Sequence, residues 1–290
     1  MKKILFPVDF SPISASAAKY AAALACRFQA ELTVLHVAPG HAPYNDVNDL
    51  CLPPAYALEV AWNETRLKEA KDTMAEFVSN HLRGIPVTPC VLSGDAAKII
   101  VEHAHTKAAD LIVMGTHGFG SFRRMLLGSV TAKVLHDARC PVFTSTHAES
   151  IPVTLPPLRT MVCAVDYGSH SEAVLRWADK FARSVGAQLL MSHVLPTTPM
   201  GQWGYCDGDI SVAIKKDAED KAHALLESTS AAAKVIVETG PVVQTLSQIA
   251  TDKHADLLVI GRHHESGILG RLRDTAYAIL RESPCPVISV

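Results

Sequence analysis

Gly115-Thr116-His117-Gly118-Phe119-Gly120-Ser121-Phe122-Arg123-Arg124-Met125-Leu126-Leu127-Gly128-Ser129-Val130 joins two recognisable elements. The run before it, Ala109-Asp110-Leu111-Ile112-Val113-Met114, reads as a buried strand, and Val130-Thr131-Ala132-Lys133-Val134-Leu135-His136 has a helix pattern. The stretch is therefore a strand-to-helix loop at the carboxyl edge of a sheet, where open α/β sheets bind ligands. Glycines at 115, 118 and 128 let the backbone turn tightly and approach a ligand without Cβ interference. Gly128-Ser129 opens the next helix, whose free N–H groups and positive dipole end favour an anion such as phosphate.

Outward from the loop, the chain repeats itself. Ile4-Leu5-Phe6-Pro7-Val8-Asp9-Phe10-Ser11 matches Met161-Val162-Cys163-Ala164-Val165-Asp166-Tyr167-Gly168, and Leu35-His36-Val37-Ala38-Pro39 matches Ser192-His193-Val194-Leu195-Pro196, both at an offset of 157. Gly94, Asp110 and Gly115 match Gly240, Asp256 and Gly261 at 146, so the second copy is shorter in its middle. Two tandem domains are expected, 1–147 and 158–290, joined by a proline-containing linker through Pro152, Pro156 and Pro157. A length of 290 residues independently favours two domains.

In the first copy, Lys3–Val8 reads as a strand buried on both faces, because its apolar residues do not alternate with polar ones. Ser11-Pro12 is a helix start, followed by the alanine-rich segment Ser14–Phe28. Strands are expected at Glu31–Val37, Val87–Leu92, Leu111–Met114 and Pro141–Ser145, with helices at about Pro54–Leu82, Ala96–Thr106 and Ser129–Asp137. The second copy follows the same order. Its first helix is expected at Ser169–Val185, with Ser169 and Glu172 at capping-box spacing, and its last at Thr275–Glu282. Alternating strands and helices imply an α/β fold with a parallel sheet and right-handed crossovers.

The spacing Gly-x2-Gly-x9-Gly-Ser between a strand and a helix resembles the nucleotide-binding branch of the universal stress protein family, and with the repeat the resemblance covers essentially the whole chain. It implies two open five-stranded parallel sheets with helices on both faces, Rossmann-like, of strand order 3-2-1-4-5. It implies ATP as ligand of the first domain, with AMP or ADP as alternatives and Mg²⁺ as a companion ion. Asp9 would accept hydrogen bonds from ribose hydroxyls, Val37 would lie against the adenine, and Met114, Gly115, Gly118, Gly128, Ser129 and Val130 would surround the ribose and phosphates. Pro7 and His117 complete the set, His117 reaching toward phosphate. Read without the resemblance, Asp9 has a turn or cap residue as its alternative, Val37 and Met114 are indistinguishable from core, and exposed loop polarity explains His117 and Arg123 equally well. In the related family the last strands meet at a dimer interface, which implies an intramolecular pseudo-dimer of the two copies, with a homodimer as the larger assembly.

No Lys follows Gly128, so a P-loop that grips β and γ phosphates is excluded, and no nucleophile–base–acid set is recognisable from spacing. The chain reads as a nucleotide holder acting as a stress-response regulatory module. The alternatives are a slow ATPase or self-phosphorylating enzyme, and a nucleotide-free scaffold. A net charge of −2 and a pI near 6.7 give no reason to expect nucleic acid or a membrane as partner. Pro7 and Asp9 interrupt the apolar run after Met1-Lys2-Lys3, and seven scattered cysteines lack any Cys-x-x-Cys pair, so a cytoplasmic protein with reduced thiols and no metal site is expected. The second copy's loop places His264 where the first has Gly118, and Asp274 where it has Gly128. Asp274 is expected to cap its own helix there, and the second domain is expected not to bind nucleotide in the same way.

Overall fold

The computed structural model describes residues 1–40, 54–117, 127–145, 158–196, 208–262 and 271–290, with the backbone alone at 54–63, 208–211 and 271–274. Over these residues the chain divides into two compact units, the first reaching Val142 and the second taking Phe143–Ser145 together with 158–290.

The first unit runs β1 (Lys3–Val8), α1 (Pro12–Phe28), β2 (Glu31–Pro39), α2 (Pro54–His81), β3 (Val87–Gly94), α3 (Ala96–Thr106), β4 (Leu111–Gly115), α4 (Ser129–Asp137) and β5 (Val142–Ser145), β5 lying across the division. Its strands lie in the order β3-β2-β1-β4-β5. The second unit runs β6 (Thr160–Ala164), α5 (Ser171–Val185), β7 (Gln188–Pro196), α6 (Gly208–Thr229), β8 (Ala233–Gly240), α7 (Val242–Asp252), β9 (Leu257–Ile260), α8 (Arg271–Glu282) and β10 (Val287–Ser289), in the order β8-β7-β6-β9-β10. β1 pairs in parallel with β2 and β4, and β6 in parallel with β7 and β9.

An aspartate sets the central position of the first strand in each unit. The Asp110 carboxylate, just ahead of β4, accepts the N–H groups of Lys2 and Lys3, while its own N–H donates to Lys3 O at 2.9 Å. Asp256, ahead of β9, does the same with the N–H groups of Arg159 and Thr160 and with Thr160 O. Such a clasp holds the fourth strand against the first rather than against the third.

With right-handed crossovers, the first two connections move along the sheet one way and the next two the other, which sends α1 and α2 to one face and α3 and α4 to the opposite one. The helices pack accordingly, α1 on α2 and α3 on α4, then α5 on α6 and α7 on α8. Phe6, Leu32, Leu35, Leu111 and Ile112 are fully buried between the layers, as are Met161, Leu175 and Leu257 in the second unit.

Two helix starts differ from the reading of the sequence. α5 begins at Ser171 with His170 as N-cap and no side-chain cap bond, so the Ser169–Glu172 capping box does not form. Glu172 instead meets Arg176 at 2.9 Å and the Ser228 hydroxyl at 3.1 Å. α8 begins at Arg271, so Asp274 lies within its first turn instead of capping a helix that starts at Thr275. Among the described cysteines Cys163 and Cys285 are buried, Cys90 and Cys140 half-buried, and Cys26 exposed. Among the described residues, no helix is long and apolar enough to cross a membrane.

Candidate functional site

In the first sheet the strand order reverses between β1 and β4, the switch point at which such sheets open a crevice beyond their carboxyl ends. Pro7 lies there, buried, and carries no N–H to extend a ladder. The β1–β4 register covers Ile4↔Leu111 and Leu5↔Ile112 and stops two residues short of Pro7. At the matching place the second sheet has Ala164, and β6–β9 pairing continues to Ala164↔Ile260. The two strand ends are therefore unzipped in the first domain and zipped in the second.

Asp9 follows β1 at this edge and is exposed. Its Oδ1 accepts the Ser11 N–H at 3.0 Å and the Ser14 hydroxyl, and its own N–H donates to Ser14 Oγ at 3.2 Å. Ser11 is the expected N-cap of α1, accepting the Ser14 N–H, with Pro12 at the first helical turn. One carboxylate oxygen thus serves the turn, as the plainer reading of Asp9 required, and Oδ2 is uncommitted among the described residues.

The base of the glycine loop is closed by its own backbone. The Gly128 N–H donates to Thr116 O at 2.8 Å, and the Thr131 hydroxyl donates to Gly115 O at 3.0 Å. Neither glycine is needed for a left-handed turn, contrary to the expectation of tight turning; Gly128 has an ordinary φ of −60°. Their role is clearance. A Cβ on Gly115 would fall 2.6 Å from Ile13 Cγ2, and one on Gly128 would fall 3.3 Å from both His117 Cα and Thr116 O.

Gly128 is the N-cap of α4, with no side-chain cap bond and no acidic residue in the first turn. By contrast, α1 is capped by Ser11 and α3 by Asp95. Among the described residues the first-turn amides of α4 therefore have no side-chain acceptor at the open crevice, an arrangement suited to an anion.

Of the other residues expected at the site, Met114 is buried, Val37, His117 and Val130 are half-buried, and Ser129 is exposed. His117 Nδ1 lies 3.0 Å from the Thr116 hydroxyl. Gly118, Phe119, Gly120 and Arg123 lie outside the described residues, as do His263 and His264 of the second loop.

The structure adds a pair that the sequence reading passed over. Phe10 adopts φ 63°, a left-handed conformation that costs a residue with a Cβ about 1–2 kcal/mol. Its ring stacks on His36 with centroids 4.3 Å apart, and Phe77 lies at 5.7 Å on a tilted contact. His36 Nδ1 is 2.9 Å from Val8 O, so that nitrogen carries the proton and donates. The second domain repeats the device at the same offset: Tyr167 has φ 59°, stacks on His193 at 4.1 Å, and His193 Nδ1 is 2.9 Å from Val165 O. That recurrence was available in the aligned repeats as an aromatic–His pairing.

Tyr167 differs from Phe10 by a hydroxyl, which donates to Ala218 O at 2.7 Å. Burial above all, then the Asp217 and Glu219 carboxylates, push this hydroxyl up to about 12. The folded state holds the proton more tightly than the unfolded chain, whose tyrosines titrate near 10. The associated stability is complete below about pH 10 and is lost as pH rises from about 10 to about 12. Tyr167→Phe is expected to cost about 1 kcal/mol at neutral pH and to flatten the alkaline limb of a urea-denaturation series, whereas an unchanged limb would exclude Tyr167 as its source.

A family model described as the universal stress protein family matches residues 1–144 and 157–290. A universal stress protein of Methanocaldococcus jannaschii is 36% identical over 151 residues, covering 49% of this chain and 79% of the relative. One of Mycobacterium tuberculosis is 26% identical over 274 residues, covering 93% of this chain and 89% of its own. Among solved structures, a universal stress protein from Archaeoglobus fulgidus superposes with a TM-score of 0.66 at 21% identity, covering 99% of this chain and 95% of that one, a likeness of fold.

Proposed function

The chain belongs to the universal stress protein family, and on that footing we propose that its first domain binds ATP at the carboxyl edge of its sheet. The observation that carries the reading is the α4 N-terminus, whose first-turn amides have no side-chain cap among the described residues, beside the unzipped ends of β1 and β4. The triphosphate lies against the Ser129 and Val130 amides, with Gly128, Gly115 and Gly118 supplying bare backbone and His117 at the phosphate side. Asp9 takes the ribose hydroxyls with its uncommitted oxygen. Val37 and Met114 border the base and sugar, and Pro7 keeps the crevice open. Mg²⁺ accompanies the phosphates. The protein works as a cytoplasmic regulatory module in which nucleotide occupancy is the signal.

Mass spectrometry of nucleotide released from the purified full chain, followed by calorimetric titration of the stripped protein with ATP, ADP and AMP, tests this. Release of an adenine nucleotide and saturable ATP binding are expected. Absence of both overturns the reading in favour of a nucleotide-free scaffold. The exposed Ser129 hydroxyl at the helix start favours one second reading, self-phosphorylation, which incubation with γ-labelled ATP and transfer of label to the protein would reveal.

A further inference from the structure

We propose that His36 is a positioning residue for the Asp9 carboxylate, and so determines how strongly the first domain prefers nucleotides with ribose hydroxyls over nucleotides lacking them. The inference rests on the nucleotide reading above and adds to it a residue placed behind the site.

His36 grips the chain on both sides of Asp9. Its ring N–H donates to the carbonyl of Val8, the residue before, at 2.9 Å, and its ring stacks on Phe10, the residue after, at 4.3 Å. The Val8 carbonyl and the Asp9 N–H belong to one peptide group. With the carbonyl held by His36 and the N–H by Ser14 Oγ at 3.2 Å, the plane of that peptide is fixed, and with it the direction in which Asp9 leaves the backbone. On the other side, the left-handed φ of Phe10 turns the chain so that the Ser11 N–H reaches Asp9 Oδ1 at 3.0 Å. A residue with a Cβ holds such a φ only when its surroundings over-determine it, and here the His36 and Phe77 rings do so.

Filling space alone requires neither the ring N–H nor its alignment on a strand-end carbonyl. The second copy repeats the histidine's part around Asp166, with Val165 O, Tyr167 and His193 in the same three roles and Ser171 Oγ on Asp166 Oδ1 at 3.0 Å. The device therefore aims an aspartate at the sheet edge in both domains. In the first domain that edge opens on α4, whose N-cap Gly128 makes no side-chain cap bond.

The test titrates ATP and 2′,3′-dideoxy-ATP into the full chain and into its His36→Ala, His36→Phe and Asp9→Ala variants, with thermal unfolding and circular dichroism recorded for each. The parent should prefer ATP over the dideoxy nucleotide by about tenfold or more, since losing a hydrogen bond to a carboxylate is worth at least that factor. His36→Ala should weaken ATP until the preference falls to about twofold or less and leave dideoxy-ATP affinity within about twofold. His36→Phe, which keeps a ring to stack but has no N–H for Val8 O, should lie between. In the Asp9→Ala background, the His36 substitution should change ATP affinity by less than about twofold, because both act through one contact. Equal weakening of both nucleotides by His36→Ala, or an unchanged preference, overturns the inference and leaves the nucleotide site standing. Failure of the parent to bind ATP removes the nucleotide reading and this inference together.

Discussion

The Gly128→Val protein is expected to bind ATP at least about a hundredfold more weakly than the parent while remaining folded. The reason is clearance, since φ −60° and ψ 142° at this position are open to any residue. A first Cβ would already stand 3.3 Å from His117 Cα and Thr116 O and 3.6 Å from Thr131 Oγ1. Valine adds two methyl groups that cannot all avoid the loop base, so they project toward the first-turn amides where phosphate is proposed to lie. Losing charge-assisted bonds from two amides, at about 1.5–3 kcal/mol each, accounts for a factor of about a hundred or more. Crowding within the protein should cost folding only about 1–3 kcal/mol. Gly128→Ala should fall between the two. Calorimetric titration alongside urea unfolding measures both quantities, and parental ATP affinity in Gly128→Val would move the site elsewhere.

One ATP per chain is the second expected result, with the Gly128→Val chain showing no second, unweakened site. At an offset of 146, Ser129 and Val130 correspond to Thr275 and Ala276. In the first domain α4 begins at Ser129, so those amides have no partner within the helix. In the second, α8 has already begun at Arg271, and the amides of Thr275 and Ala276 fall where a helix bonds them to carbonyls four residues back. The donors needed for phosphate are consumed by the helix itself. The crevice is also narrower at its root, because β6–β9 pairing runs to Ala164↔Ile260. Restoring glycine at 274 alone should therefore create no second site. A stoichiometry near two in the parent, with comparable affinities, would refute this assignment.

Much of the fold was legible because it is written in local periods. Buried strand runs such as Leu111–Met114, the Ser11-Pro12 helix start and the repeat at offset 157 each lie within a few residues or in a matched copy. The glycine loop was legible for the same reason. Local signals failed where another partner took the side chain or the helix began earlier than its cap-like residue. Ser169 and Glu172 had the spacing of a cap, but Glu172 is held by Arg176 and Ser228, and α5 starts at Ser171. Asp274 had the character of a cap, yet α8 runs through it.

By itself, then, the sequence determined the α/β class, the tandem family membership, and the loop on which a nucleotide reading centres, since each is carried by residue type and spacing along the chain. Only the tertiary structure decided that Pro7 stands where β1 and β4 part, that Asp110 clasps the start of β1, and that His36 holds both neighbours of Asp9. These depend on backbone groups of strands that are neighbours in space but separated by 28 residues between His36 and Val8 and 107 between Asp110 and Lys3. A hydrogen bond to a main-chain carbonyl or N–H asks nothing of the identity of the residue that supplies it, so the aligned repeats show that these aspartates and histidines recur but not which backbone groups they hold.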